Sequence, residues 1–177
     1  MADSPRFDGA RILQTGFSGD TGEADPALAA ALAAHDGSAA TFAPVVAALA
    51  GARLLVPVVA VLGEVEVDEA GLAHDKSSDM AAVLLTGADG RTALLAFTST
   101  ENLARWNPEA RPVPVTAETA ALSAVQEGAA ALVVDVAGPH PLALEGQELE
   151  AFAAGWQLVQ VDDRWGWLRP ADDSGDS

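Results

Sequence analysis

Apolar runs of strand length recur along the chain, separated by polar segments and by helix-like segments. Positions 53–62 are almost unbroken in apolar residues, which is typical of a strand covered on both faces. Two further runs, at 80–86 and 92–97, flank Gly87-Ala88-Asp89-Gly90, and an Asp-Gly pair between such runs predicts a β-hairpin. Shorter strands are predicted at 111–115, 130–136, 141–144, 157–161 and 165–168.

Start and stop residues predict two helices before the first strand. Asp25 and Pro26 begin a helix that runs to about residue 35, because Asp caps free amides and Pro fits the first turn. A second helix is predicted from Thr41 to residue 50, with Pro44 still within the turn whose amides lack partners. Pro57 cannot donate to a strand ladder and predicts a bulge or an edge in the first strand.

Three more helices are predicted in the second half. Thr98 and Ser99 begin a short one with a capping-box pattern, and Leu103 and Trp106 would face the core before the helix ends near residue 106. Thr116 caps another, which runs to residue 127 with Leu122 and Val125 as its buried stripe. The last is predicted over residues 147–154.

This order of elements predicts an α/β (α+β) fold with a mixed β-sheet that contains a central hairpin and is flanked by helices. The length of 177 residues suits one domain. We expect an irregular lead-in over residues 1–24, the domain over 25–168 and a disordered acidic tail over 169–177, with a flexible acidic excursion over 63–79.

Charge and composition narrow the classes of function. The chain carries 26 acidic and 9 basic residues, a net charge of −17, which disfavours nucleic acid and membrane surfaces as partners. It has no Cys, so disulfides and thiolate chemistry are excluded. Without a signal-peptide pattern or an apolar run of about 18 residues, a soluble cytoplasmic protein is expected.

The chain contains residue types that hydrolases and metal sites use, but not the sequence motifs that usually accompany them. Ser99, His140 and Asp135 could form a hydrolase triad, but Ser99 lies in no G-x-S-x-G sequence and is explained as a helix cap. Asp135 at a strand end suits either a functional carboxylate or the start of a turn. The predicted excursion contains residue types that bind metals, but their spacing matches no known metal-binding motif: Asp68, Glu69, His74, Asp75 and Asp79. We interpret them as a solvated acidic loop, so no metal and no cofactor is predicted.

Four arginines lie next to predicted strands or the Trp106 helix and could form a pocket for an anion or carboxylate: Arg53, Arg91, Arg105 and Arg111. The amides at the Thr98-Ser99 helix start would assist such a pocket. The alternative is that each arginine pairs with one of the many surface carboxylates.

Residues 93–114 carry a family resemblance. They read as an apolar strand that ends in Phe97-Thr98-Ser99, a helix that ends in Trp, and then Arg-Pro-Val-Pro; a D-G-R hairpin precedes them, and a helix ending in Glu-Gly and a strand reaching an Asp follow. With Leu54-Leu55-Val56-Pro57-Val58 as an opening strand, residues 27–155 resemble the SseB family N-terminal domain, including its many actinobacterial members. The recurring family positions are Pro57, Phe97, Thr98, Ser99, Trp106, Arg111, Pro112, Gly128 and Asp135.

The biochemical activity of the family that this chain resembles is not established, and the resemblance implies no catalytic residues. We therefore expect a non-enzymatic regulatory or accessory protein that acts through a protein partner or a homo-oligomer, with Trp165 and Trp167 as candidate interaction residues. The alternative is a domain that binds an amino acid or another carboxylate through Thr98, Ser99 and Arg111.

Overall fold

The computed structural model describes residues 17–61 and 79–171. Those residues form five helices: α1 Pro26–Ala34, α2 Ala39–Ala50, α3 Thr100–Trp106, α4 Ala117–Gln126 and α5 Gly146–Ala153. They form nine strands: β1 Arg53–Val61, β2 Asp79–Ala82, β3 Leu84–Thr86, β4 Thr92–Ala96, β5 Arg111–Thr116, β6 Ala131–Val134, β7 Leu142–Glu145, β8 Gln157–Val161 and β9 Arg164–Leu168. The predicted excursion lies outside the described residues except at Asp79, as do residues 1–16 of the lead-in and 172–177 of the tail.

Strands β1 to β7 form the predicted mixed sheet in two joined parts, and β8 and β9 form a separate antiparallel hairpin. One part has the order β2-β1-β5 and the other β3-β4-β6-β7, with β4 and β6 parallel and the remaining neighbours antiparallel. The parts meet where Leu55 and Phe97 exchange two backbone hydrogen bonds of 2.8 Å. The predicted α/β (α+β) class and the β3–β4 hairpin are confirmed.

Strands β1 and β4 diverge immediately beyond this pair, and Pro57 supplies the reason. Alternate residues of a strand point their backbone groups to the same side, so the nitrogen of Pro57 faces β4 as the N–H of Leu55 does. Pro57 has no N–H to donate there. Val83 enters the gap instead, donating its N–H to the Pro57 carbonyl at 3.1 Å and accepting from the Leu95 N–H at 3.4 Å. The strand predicted as continuous over residues 80–86 is therefore broken at Val83.

The two prolines of β5 leave the sheet intact because they lie at its edge. Pro112 pairs with Pro57 and Pro114 with Leu55. Since Leu55 directs its backbone groups towards β4, residues 112 and 114 direct theirs away from β1, where no other described strand pairs with β5. Proline at such positions costs no ladder hydrogen bond and discourages further pairing.

Side chains alternate between two cores. Leu54 and Val56 face the larger one, which α1, α2, α4 and α5 cover, while Leu55 faces the smaller one beneath α3. The smaller core holds Leu55, Leu95, Phe97 and Leu103, with Trp106 packed against it. The prediction that Leu103 and Trp106 face the core is confirmed.

The predicted buried stripe of α4 is wrong. Leu122 and Val125 are 44% and 39% exposed. The buried face consists of alanines: Ala117, Ala120, Ala121 and Ala124. Helix α4 contacts both α5 and the sheet, and alanines on its buried face allow close packing against them, so the larger residues lie on the solvent side.

Helix α2 begins earlier than predicted. Ser38, not Thr41, is its cap, and Ser38 Oγ accepts a hydrogen bond from the Thr41 N–H. Thr41 instead directs its hydroxyl to the Asp36 carboxylate at 2.6 Å. Pro44 therefore lies inside the helix and not in its first turn.

The hydroxyl of Thr41 gives a testable pH dependence. Its hydrogen bond to Asp36, assisted by Ser38, holds the pKa of the Asp36 carboxyl well below its usual range. A lowered folded-state pKa means that the carboxylate stabilises the fold above the ordinary Asp value of about 4, and that this contribution is lost as pH falls through the lowered pKa. Thr41→Val should raise the Asp36 pKa in a ¹³C-carboxyl NMR titration, whereas Thr41→Ser should not. An unchanged pKa in the valine variant would contradict this assignment.

No helix among the described residues is long and apolar enough to cross a membrane.

Candidate functional site

The polar residues predicted as candidates at the end of β4 are joined to the end of β6. Thr98 donates its N–H to Asp135 Oδ1 at 2.9 Å and its hydroxyl to Asp135 Oδ2 at 2.7 Å. Both residues are 3% exposed, and Asn102 Nδ2 donates to the Thr98 hydroxyl at 3.2 Å. We call Thr98, Asn102 and Asp135 the strand-end joint, because they tie two parallel strands together where both end.

The backbone around Asp135 is shaped for this contact. Asp135 has φ 54°, in the left-handed region that Asp tolerates better than most residues. Its carbonyl accepts the N–H of Gly138 at 2.8 Å. A Cβ at position 138 would lie 3.1 Å from the Asp135 Cβ and 3.4 Å from the Asn102 Cγ, so glycine keeps the turn compact. Asp135 therefore starts a turn, and each oxygen of its carboxylate accepts one hydrogen bond from Thr98.

Ser99 caps α3, as predicted. Its hydroxyl accepts the Asn102 N–H at 3.1 Å. The next amide, that of Thr100, donates to the Gly22 carbonyl at 2.8 Å. Gly22 is buried there, and a Cβ on it would lie 2.6 Å from the Thr100 Cγ2. A ligand at the start of α3 would need the amides of Thr100 and Asn102, and these already donate to the Gly22 carbonyl and the Ser99 hydroxyl.

Arg53 links the end of β4 to the residues before α1. One of its guanidinium nitrogens donates to the Thr98 carbonyl at 2.8 Å. The other donates to Asp20 Oδ1 at 2.8 Å and to the Glu23 carbonyl at 2.6 Å. The side chain of Arg53 is 11% exposed, its contact with the Thr98 carbonyl is partly buried, and its contacts with Asp20 and Glu23 lie at the surface.

Arg53→Ala should lower the free energy of unfolding by about 2 kcal/mol, because the Thr98 and Glu23 carbonyls lose their partner. Arg53→Lys should recover only part of this, since an ammonium cannot reproduce the fork of a guanidinium. Chemical denaturation measures both values. The matched control is Arg105→Ala, which removes only an exposed pair with Glu101 and should change stability by less than about 0.5 kcal/mol. Equal effects of Arg53→Ala and Arg105→Ala would contradict the assignment.

Arg111 is not brought to Thr98 and Ser99. Arg111 lies in β5 and pairs with Val58 of β1, whereas β4 lies on the other side of β1. Val58 is also three residues beyond Leu55, the residue of β1 that pairs with Phe97. No hydrogen bond or ion pair between Arg111 and Thr98 or Ser99 occurs among the described residues. The arginine that reaches Thr98 is Arg53, from a position 45 residues away in sequence.

The four arginines do not come together as the hypothesis of an anion pocket required. Arg53 and Arg91 lie towards opposite ends of β4, since Arg53 contacts Thr98 and Arg91 precedes the strand. Three of the four pair with carboxylates, as the alternative expected: Arg53 with Asp20, Arg91 with Asp89 and Glu145, and Arg105 with Glu101. The Arg91 contact also lowers the pKa of Asp89.

The imagined triad and metal centre gain no support from the geometry. His140 is exposed, and no hydrogen bond joins it to Ser99 or Asp135 within the described ranges. No group of three or more potential metal ligands occurs in the part of the chain that the structure describes. Of the acidic group considered for a metal, Asp68, Glu69, His74 and Asp75 lie outside that part.

A second candidate surface lies at the C-terminal hairpin of β8 and β9. Trp165 is 39%, Leu168 55% and Val161 63% exposed. Trp167 is half-buried and packs against the larger core. Trp165 and Trp167 were predicted as interaction residues, and their spacing places them on one face of β9.

A groove of about 420 Å³ adjoins this hairpin. It is lined by Gln147, Glu150, Ala151, Ala154, Trp156 and Trp167. Trp156 was not predicted as a site residue. The sequence does place it in the short turn between Gly155, where α5 was predicted to stop, and the next strand. Val161 and Leu168 lie on the opposite face of the hairpin. We call Trp165, Trp167 and this groove together the tryptophan surface.

The fold and these two regions define an α+β domain with a structural joint at its strand ends and an apolar surface at its C-terminal hairpin. The chain matches the family described as SseB protein N-terminal domain over residues 28–151. It therefore belongs to the SseB family. Comparisons with curated proteins and with solved structures gave no match. The hairpin begins at residue 157 and so lies beyond the matched residues.

Proposed function

We propose that this chain is a non-enzymatic, cytoplasmic SseB-family domain that acts as a regulatory or accessory protein by binding another protein through the tryptophan surface. The observation that carries the proposal is the exposure of Trp165 on the hairpin face that also holds Trp167 and the adjoining apolar groove. Aromatic side chains next to a groove are the usual anchors of protein interfaces, because they bury a large apolar area at low entropic cost.

The charge of the chain supports the same proposal. With a net charge of −17, two copies repel each other and a basic partner is attracted. A heterologous protein partner therefore agrees better with the charge than a homo-oligomer does.

The alternative of a carboxylate or amino-acid ligand at Thr98 and Ser99 meets an occupied site. The Thr98 N–H and hydroxyl already bind Asp135, and Ser99 Oγ already accepts from Asn102. An incoming carboxylate would have to displace that of Asp135, which is covalently part of the fold and needs no association entropy. Thermal-shift screening with serine and related metabolites tests this alternative, and a rise in melting temperature that Thr98→Val abolishes would favour it.

Site-resolved photo-cross-linking tests the proposal. A photoreactive phenylalanine analogue replaces Trp165 in one variant and Leu122 in a matched control, because Leu122 is a similarly exposed apolar residue on α4. We expect a discrete cross-linked protein from position 165 and none from position 122 in intact cells. Absence of any cross-link from 165, or the same cross-links from both positions, would overturn the proposal.

A further inference from the structure

The edge of β9 offers backbone groups for another strand. Strands β8 and β9 are joined by a two-residue turn in which Asp162 has φ 47° and Asp163 φ 62°, the positive values of a type I′ turn. In such a hairpin the flanking pair, Val161 and Arg164, exchanges hydrogen bonds, and the pattern then alternates. The N–H and C=O groups of Trp165 and Trp167 therefore point away from β8.

No other described strand pairs with β9, and its residues are mostly exposed. A two-stranded hairpin in water is only marginally stable by itself. An unpaired edge of this kind is the element that strand-adding partners use: their main chain supplies affinity, and pockets for alternate side chains supply specificity.

Trp167 connects this edge to the groove. Its backbone groups belong to the edge, and its side chain lines the groove together with Trp156 and Ala154. A segment paired with Trp165 and Trp167 thus has an apolar pocket available next to it. Small Ala side chains on α5 leave the space, and the two indole rings provide flat apolar walls.

The charge of the surroundings selects the partner. Glu150 lines the groove, and residues 146–171 carry four acidic residues against two arginines. The whole chain carries a net charge of −17, which disfavours a second copy of itself as the occupant. A segment with alternating apolar and basic side chains complements both the groove and the carboxylate of Glu150 that lines it.

We propose that β9 accepts an extended basic segment of another protein as an added strand, with one of its apolar side chains in the groove between α5 and Trp167. This inference rests on the proposed function and names the chemistry of the partner. Cross-linking from position 165 without any binding of extended basic peptides would remove this inference and leave the proposed function standing.

Peptide binding to the full chain tests the inference. The probes are ten-residue peptides in which valine alternates with arginine, glutamine or glutamate, measured by ¹⁵N NMR. We expect the arginine peptide to bind at least tenfold more tightly than the glutamine peptide, to perturb the Trp165 and Trp167 amides and to slow their hydrogen exchange. N-methylation of alternate peptide residues should abolish binding in one register and spare it in the other.

Two matched pairs of variants locate the contact. Trp165→Pro removes an outward N–H that Trp165→Ala retains, so the proline variant should bind the arginine peptide at least tenfold more weakly than the alanine variant. Glu150→Lys should weaken binding at least fivefold, whereas Glu148→Lys, with the same charge change on α5 but outside the groove, should change it less than twofold.

Several results would overturn the inference. They are equal binding of the arginine and glutamate peptides, no binding of any peptide, and perturbation confined to residues outside β9 and α5. Slow exchange of the Trp165 and Trp167 amides in the peptide-free protein would also overturn it. Protection independent of protein concentration would mean that the chain covers its own edge, and protection that rises with concentration would mean that a second copy does.

Discussion

Phe97→Ala should lower the free energy of unfolding by about 4 kcal/mol, the middle of the range for removing a buried phenyl ring. Phe97 is fully buried at the junction of the two parts of the sheet. Its ring packs with Leu55, Leu95 and Leu103 in the smaller core, and its centroid lies 5.6 Å from that of Trp106. A core this small cannot collapse to fill the cavity, so most of the loss remains.

Urea denaturation followed by circular dichroism measures this effect. Phe97→Leu is the control, because it keeps most of the apolar volume and should cost about 1.5 kcal/mol. Both variants retain the backbone hydrogen bonds to Leu55, so the strand order should persist. A loss below about 1.5 kcal/mol for Phe97→Ala would mean that α3 does not seal a core over the sheet.

Asp135→Ala should lower the free energy of unfolding by about 3 kcal/mol. The substitution removes both acceptors of Thr98 and leaves a buried N–H without a partner, while hydrogen bonds to a charged group contribute about 1.5–3 kcal/mol each. Alanine also tolerates the left-handed backbone of position 135 less well than Asp does.

Asp135→Asn separates these causes. Asn tolerates the same backbone conformation and can accept the Thr98 N–H, but its amide NH₂ faces the Thr98 hydroxyl, so a loss of about 1.5 kcal/mol is expected. Denaturation of both variants and of Thr98→Val gives a double-mutant cycle. If Asp135→Ala and Thr98→Val prove additive, with no coupling free energy, the strand-end joint does not exist as described.

The sequence was informative where structure depends on near neighbours. Asp25, Ser99 and Thr116 cap helices as predicted, since a cap contacts an amide only two or three residues away. The β3–β4 hairpin was predicted for the same reason, from Asp89-Gly90.

Contacts between distant residues were not predictable in the same way. Thr98 meets Asp135 across 37 residues and Arg53 across 45, and nothing in the local pattern of either residue selects its partner. The candidate set of Thr98, Ser99 and Arg111 joined residues that the topology separates. The buried face of α4 was also missed, because its alanines give a weak hydrophobic signal beside Leu122 and Val125.

The central claim is that recognition takes place at the tryptophan surface while the strand-end joint maintains the fold. The most direct test is photo-cross-linking from position 160, the exposed cross-strand neighbour of Trp165 on the same face of the hairpin, in two backgrounds, Trp165→Ala and Asp135→Asn, at a temperature where both remain folded. The account predicts that Trp165→Ala reduces the yield of the cross-linked protein severalfold with little change in stability, and that Asp135→Asn keeps it despite lower stability. An undiminished cross-link in Trp165→Ala together with its loss in folded Asp135→Asn would contradict the account and place recognition at the strand ends.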